Sequence, residues 1–266
     1  MKTIKNYQFH YSLTGNTNQP IILLLHGFTC DCQDFDPIIS LLSQSYCCLA
    51  VDLPGHGKTQ VSGDETCYNM SNTAQALINL LDDLQINKCF LLGYSMGGRL
   101  ALYMTLHFPD RFEKVVLESA SPGLKTEKER SHRMESDLHI AQKLENSNFK
   151  EFLLSWYDRP LFQSLKNSPN FDRLIETRLA NNPIELAKSL RNMGTGNQPS
   201  LWEKLAQNQI PILLLVGEYD DKFKTINAEI ASLCPAASLK IIAQAGHNVH
   251  FENIDKFVAV VRKFYG

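Results

Sequence analysis

The stretch Lys88-Cys89-Phe90-Leu91-Leu92-Gly93-Tyr94-Ser95-Met96-Gly97-Gly98-Arg99 decides how this chain is read. Residues 88–92 form a short apolar run with the length of a buried strand, and residues 96–107 follow with helical spacing. Between them stands a G-x-S-x-G pentapeptide, with Ser95 on the turn from strand to helix. Such a turn is strained, so glycines on both sides relieve crowding and leave the hydroxyl exposed at a helix N-terminus. The pentapeptide alone says little, because small-residue turns are common. Its setting between a strand and a helix makes Ser95 a candidate nucleophile or proton relay.

An elbow of this kind requires partners later in the chain, an acid and then a histidine, each after its own strand. Both are present. The apolar run 212–216 leads into Gly217-Glu218-Tyr219-Asp220-Asp221, and the strand-like run 239–242 leads into Gln244-Ala245-Gly246-His247-Asn248. His247 would draw the proton from Ser95, and an aspartate of the Asp220-Asp221 pair would hold its imidazole in the useful tautomer. A fourth element, His26-Gly27-Phe28-Thr29, directly follows the apolar run 21–25. There the backbone N–H of Phe28 would join that of Met96 as an oxyanion hole. Asp52-Leu53-Pro54-Gly55-His56-Gly57 follows the next run, and His56 reads as loop packing because His247 already fills the catalytic role. Together these loops carry the signature of the α/β-hydrolase fold.

The rest of the chain agrees with that fold class. Residues 7–13 alternate like a strand, and 46–51 and 114–117 read as further strands; helical patterns cover 35–42, 69–84, 225–233 and 255–264. Such alternation predicts a mostly parallel sheet flanked by helices on both faces. Across 124–205 the pattern changes: charges become dense, Leu138, Ala141 and Leu144 fall at helical spacing, and no buried-strand run occurs. This predicts a core of residues 1–123 and 206–266, with 124–205 inserted as a helical cap over the carboxyl ends of the strands, where open α/β sheets bind ligands.

Composition narrows the partners. Lys and Arg number 26 against 28 Asp and Glu, a net charge of −2, which provides no broad basic field for nucleic acid or acidic membranes. The longest apolar run, 46–51, is far too short to insert in a bilayer. No apolar signal core follows Met1, so a cytoplasmic location is expected. The seven cysteines form no C-x-x-C pair, and are expected to be reduced and partly buried; no metal and no cofactor is expected. Arg99, one helical turn past Ser95, shares its face of the helix. Beneath a cap rich in arginines, that arrangement suits a small molecule bearing two or more carboxylates.

Beyond the fold signature, the chain resembles the 2-succinyl-6-hydroxy-2,4-cyclohexadiene-1-carboxylate synthases of menaquinone and phylloquinone biosynthesis over nearly its whole length. The likeness lies in Gly93-Tyr94-Ser95-Met96-Gly97-Gly98-Arg99, Glu118-Ser119-Ala120-Ser121-Pro122-Gly123-Leu124, Trp156-Tyr157-Asp158-Arg159-Pro160-Leu161-Phe162, Arg178-Leu179-Ala180-Asn181-Asn182 and Gly217-Glu218-Tyr219-Asp220-Asp221-Lys222-Phe223. Met96 departs from a commoner leucine. The resemblance selects Asp220 as the triad acid and implies a pyruvate-eliminating carbon–oxygen lyase rather than a hydrolase. It also implies that Arg99, Arg133 and Arg178 hold substrate carboxylates, and that Tyr94, Trp156 and Tyr157 line the pocket. The alternative on the same scaffold is a serine hydrolase of an ester, thioester or carbon–carbon bond.

Overall fold

Strands that are apolar on both faces need cover on both sides, and the architecture supplies it. The computed structural model describes residues 1–266. Its strands are β1 (Lys2–Ile4), β2 (Tyr7–Phe9), β3 (Tyr11–Thr14), β4 (Ile21–Leu25), β5 (Cys47–Val51), β6 (Gln60–Val61), β7 (Cys89–Tyr94), β8 (Phe112–Glu118), β9 (Ile212–Gly217) and β10 (Ala237–Ile242). Seven of them form one sheet in the order β10-β9-β8-β7-β4-β5-β3. All its neighbours run parallel except β3, which is antiparallel to β5. A separate antiparallel sheet joins β1, β2 and β6.

The single strand expected over 7–13 is therefore two strands in two sheets. The break falls at His10, whose N–H donates to Thr59 Oγ1 at 2.9 Å and whose carbonyl accepts from the Asp52 N–H at 3.0 Å. Those two bonds turn the chain out of one ladder and into the other.

Helices follow the strands. The first block contributes α1 (Asp36–Leu42), α2 (Met70–Asp83) and α3 (Met96–His107). A helical stretch comes next: α4 (Glu127–Asn146), α5 (Phe149–Tyr157), α6 (Gln163–Lys166), α7 (Phe171–Arg178) and α8 (Pro183–Met193). The last block adds α9 (Asp221–Leu233), α10 (Val249–Glu252) and α11 (Ile254–Tyr265). The two-residue period of the strands divides the core. In β4, Leu23 and Leu25 pack with residues of α2 and α3, while Ile22 and Leu24 pack with α1 and α11 on the opposite face. A third apolar cluster, including Leu144, Phe152, Trp156 and Leu186, knits the α4–α8 stretch together, and Phe28 packs against it. Helix α4 begins with a capping box, in which the Thr126 side chain and Glu129 satisfy each other's backbone N–H. No helix is long and apolar enough to cross a membrane.

Four loops leave the carboxyl ends of β4, β7, β9 and β10, and they carry Phe28, Ser95, Asp220 and His247. The parallel order of those strands is what brings residues so distant in sequence to one edge.

Candidate active site

Ser95 sits at φ 49° and ψ −104°, a conformation that costs free energy for any residue with a side chain. Its N–H donates to the Glu118 carbonyl at 2.8 Å, and the Gly97 N–H donates to the His26 carbonyl at 3.0 Å. The flanking glycines are required by space. A Cβ on Gly97 would meet the Leu25 carbonyl oxygen at 2.1 Å, and one on Gly93 the Gly97 carbonyl oxygen at 2.5 Å. The elbow is thus held from two strands, with the hydroxyl turned outward.

His247 Nδ1 lies 2.6 Å from Asp220 Oδ2, and its Nε2 lies 3.0 Å from Ser95 Oγ. A carboxylate only accepts, so Nδ1 carries the proton and the Nε2 lone pair faces the serine hydroxyl. The other Asp220 oxygen accepts the Phe223 N–H at 3.2 Å, which caps α9. This cap starts α9 at residue 221, earlier than the expected 225. The side chains of His247 and Asp220 are 2% and 1% exposed, so water does not compete for the pair. The structure thus brings Ser95, Asp220 and His247 into one hydrogen-bonded line.

Phe28 and Met96 line the same cavity, and neither amide N–H has an acceptor within the chain. Free donors on the wall of the cavity that Ser95 also lines have the chemistry to receive negative charge on a substrate oxygen. The Phe28 loop is fastened by His26, whose Nδ1 donates to the Gly27 carbonyl (2.8 Å) and whose Nε2 accepts the Leu53 N–H (2.9 Å). Burial lowers the His26 pKa, which favours the neutral ring that this acceptor role needs. His56 packs against the rings of His26 and Phe28 and is pushed down to about 3 by burial and by His26. It is a loop-packing residue.

The cavity encloses about 570 Å³, and Tyr94, Arg99, Arg133, Trp156 and Tyr157 all line it. Arg99 donates to Gln198 Oε1 (3.1 Å) and to the Met193 carbonyl (2.9 Å), and no carboxylate pairs with it. Burial, and secondarily the charge of Arg133, lower its pKa to about 10, which still leaves it cationic at neutral pH. Arg133 spends its Nε on the buried Asp137 at 2.7 Å, and its two terminal nitrogens have no acceptor.

Arg178 departs from the expectation. Its guanidinium does not reach the cavity; the residue is 2% exposed, pairs with Asp34, and donates from Nε to the Tyr157 hydroxyl at 3.3 Å. A guanidinium enclosed in this way, with a carboxylate already on it, is not free to hold a substrate carboxylate. Three other cations occupy the cavity wall instead. Lys125 pairs with Glu229, whereas Arg159, which lies 3.9 Å over the Trp156 ring, and Lys222 have no hydrogen-bond or ion-pair partner. Burial, then Arg133, lower the Arg159 pKa. The only sequence signal for Arg159 was its place two residues after Tyr157 in a segment already singled out.

All seven cysteines are buried and unpaired. One group, His10, Cys32 and Asp52, gathers its ligand atoms within 4.8 Å. Asp52 is already engaged, accepting the amides of Cys32 (2.7 Å) and Lys58 (2.8 Å) and facing His10 Nδ1 at 2.8 Å. Burial and the Asp52 charge also push the Cys32 thiol far above its ordinary range, against the thiolate a metal needs. The group reads as turn scaffolding. Activity is accordingly expected to survive EDTA; loss on chelation with recovery on adding zinc or magnesium would contradict this.

Known proteins share this fold. A family model described as the alpha/beta hydrolase fold matches residues 20–254. A Bacillus subtilis protein provisionally named as 2-succinyl-6-hydroxy-2,4-cyclohexadiene-1-carboxylate synthase is 37% identical, covering 94% of this chain and 92% of its own. The synthase of that name from Citrobacter koseri is 32% identical over 93% of this chain and 96% of its own. Among solved structures, MenH from S. aureus superposes with a TM-score of 0.90 at 35% identity, covering 98% of this chain and 97% of the other. The chain therefore belongs to the α/β-hydrolase-fold family and, within it, to the 2-succinyl-6-hydroxy-2,4-cyclohexadiene-1-carboxylate synthases.

Proposed function

We propose that this enzyme eliminates pyruvate from 2-succinyl-5-enolpyruvyl-6-hydroxy-3-cyclohexene-1-carboxylate, with Ser95, His247 and Asp220 as its base and helices α4–α8 as a cap over the site. The observation that carries this reading is a serine–histidine pair in a cavity whose wall holds Arg99, Arg159 and Lys222 without an anionic partner. A substrate with three carboxylates matches that excess of positive charge.

The chemistry follows from the arrangement. Ser95, deprotonated toward His247, takes the proton from the ring carbon beside the succinyl carbonyl. The electron pair of that C–H bond forms a double bond within the ring and the existing one shifts along. The carbon–oxygen bond to the enolpyruvyl group then breaks, and the released enol becomes pyruvate. Charge building on the succinyl carbonyl oxygen is received by the Phe28 and Met96 amides. No electrons are gained or lost overall, and no water is consumed, so the step needs no redox group.

Following pyruvate with lactate dehydrogenase tests the reading directly. Pyruvate is expected without incorporation of labelled oxygen from water into a new carboxylate. Label in a new carboxylate, or no pyruvate at all, would favour a hydrolase. Within this scheme Arg159→Gln is expected to raise KM about tenfold with kcat little changed, from the ~1.5 kcal/mol typical of a hydrogen bond to a charged group. An unchanged KM would remove Arg159 from the binding surface.

A further inference from the structure

Four ionisable side chains that the elimination does not use lie buried side by side behind the catalytic wall. They are Glu118 at the end of β8, Asp34 beyond the Phe28 loop, His250 in α10 and Arg178 at the end of α7; their side chains are 4% exposed or less. Glu118 grips His250 twice, with Oε1 accepting its backbone N–H at 3.0 Å and Oε2 facing ring Nδ1 at 2.7 Å. The other ring nitrogen lies 3.3 Å from Asp34 Oδ2, and Asp34 Oδ1 pairs with Arg178. Carboxylates only accept, so both ring nitrogens must carry protons. The cluster therefore holds two negative and two positive charges, and it is neutral only while His250 is an imidazolium.

Each corner belongs to a different working part. The Glu118 carbonyl accepts the N–H of Ser95 at 2.8 Å, and His250 lies in α10, which begins two residues after His247. Asp34 continues the segment that begins with the Phe28 amide. Arg178 reaches the Tyr157 hydroxyl, which also bonds Thr29 Oγ1 at 2.8 Å and lines the cavity. We propose that this buried group of four charges sets the nucleophile, the base, the oxyanion loop and the cap in register, with His250 as a positioning residue at its centre. The proposal rests on Ser95 and His247 being the reactive pair.

A buried ion group is a poor way to gain stability, since apolar packing of the same volume often does as well. Removing one member, by contrast, strands an uncompensated charge. The groups around His250 leave it few other protonation states. Burial opposes its charge, but Glu118 and then Asp34 outweigh burial and lift it to about 9. Burial likewise opposes the Asp34 carboxylate, and Arg178 and His250 hold it well below the usual range. Nearby Tyr94 and Cys30 are pushed well up by burial, Tyr157 is pushed up to about 12, and Glu252 on the same helix is raised by burial. Phe35 and Phe257 complete the surroundings of the ring. Because the folded-state value lies above the ordinary 6.5, the stabilisation from His250 is complete below that pH and is lost as pH rises through about 9.

The test uses the full chain as wild type, His250→Gln, and the double variant Glu118→Gln/His250→Gln, which removes one charge of each sign. Pyruvate-release kcat and KM, the thermal midpoint, and the rate at which a fluorophosphonate labels Ser95 are measured from pH 6 to 10. Wild type is expected to lose both kcat and labelling rate as pH rises through about 9. His250→Gln should lose kcat about 10- to 100-fold even at neutral pH, the size expected when reacting groups are misplaced by about 1 Å, with KM changing less. The neutral double variant should recover much of that loss and lack the alkaline fall. A merely structural tie would lower the midpoint but leave kcat and labelling unchanged below it. That result overturns the proposal, as does an alkaline fall that persists in the double variant. Should His250→Gln not fold, the wild-type profile against the double variant decides. If wild type labels at Ser95 yet releases no pyruvate, the functional reading fails while the labelling profiles still judge this one.

Discussion

Ser95→Ala is expected to fold as the wild type does and to lose roughly three to six orders of magnitude in kcat, the range seen when a triad nucleophile is removed. The lower end is the better expectation here. In an elimination the serine makes no covalent intermediate, and His247 Nε2, left without its hydroxyl 3.0 Å away, can still take a proton weakly through water. Folding should be spared because the Ser95 contacts that build the elbow are made by its backbone, and the space around it is set by Gly93 and Gly97. The thermal midpoint should stay level or rise slightly, as happens when a functional group unnecessary for packing is removed. Steady-state pyruvate release and a melting curve check both halves. A variant that kept more than about a tenth of wild-type kcat would show that Ser95 is not the base or its relay.

The parts of this site that could be read in advance are those whose signal is local. The elbow, the loop after β4 and the turns holding Asp220 and His247 each combine an apolar run with a particular residue in the turn that follows. The strand period then determines where that turn emerges. Residues whose role depends on a distant partner could not be read this way. Arg178 looks like any cap arginine until Asp34 is found against it, 144 positions away in the chain. His250 carries no motif, and only the meeting of β8, the Asp34 segment and α10 encloses it between two carboxylates. The split of 7–13 into β2 and β3 has a similar origin. Alternation reports which face a side chain takes, whereas the change of partner strand at His10 depends on Thr59 and Asp52. The α4–α8 stretch was legible as helical, and its third apolar cluster explains the spacing of Ala141 and Leu144.

Among the cavity cations, Arg99 should carry the largest single share of substrate recognition, and Arg99→Ala is expected to lower kcat/KM by about 2–5 kcal/mol, or roughly 30- to 4,000-fold. Its guanidinium is held on two sides by Gln198 and the Met193 carbonyl, so its orientation is fixed before substrate arrives. Those partners are neutral, and the charge is left for a ligand. A carboxylate bound there in a poorly hydrated pocket would be stranded by truncation, which is why the cost should exceed the 0–1 kcal/mol typical of an exposed ion pair. Arg133 is a less clean probe, because its loss would also leave the buried Asp137 uncompensated and disturb the Gly196 amide it accepts at 3.3 Å. Arg99→Lys should recover only part of the activity, since an ammonium cannot reproduce the planar fork. With a pKa near 10 the Arg99 charge persists through neutral pH, so the defect should be level from pH 6 to 8. Measuring kcat/KM and the thermal midpoint at low and moderate salt separates binding from folding. If Arg99→Ala kept near-wild-type kcat/KM at both salt levels, the polycarboxylate substrate would be ruled out and a hydrolase acting on a neutral substrate would be the better account.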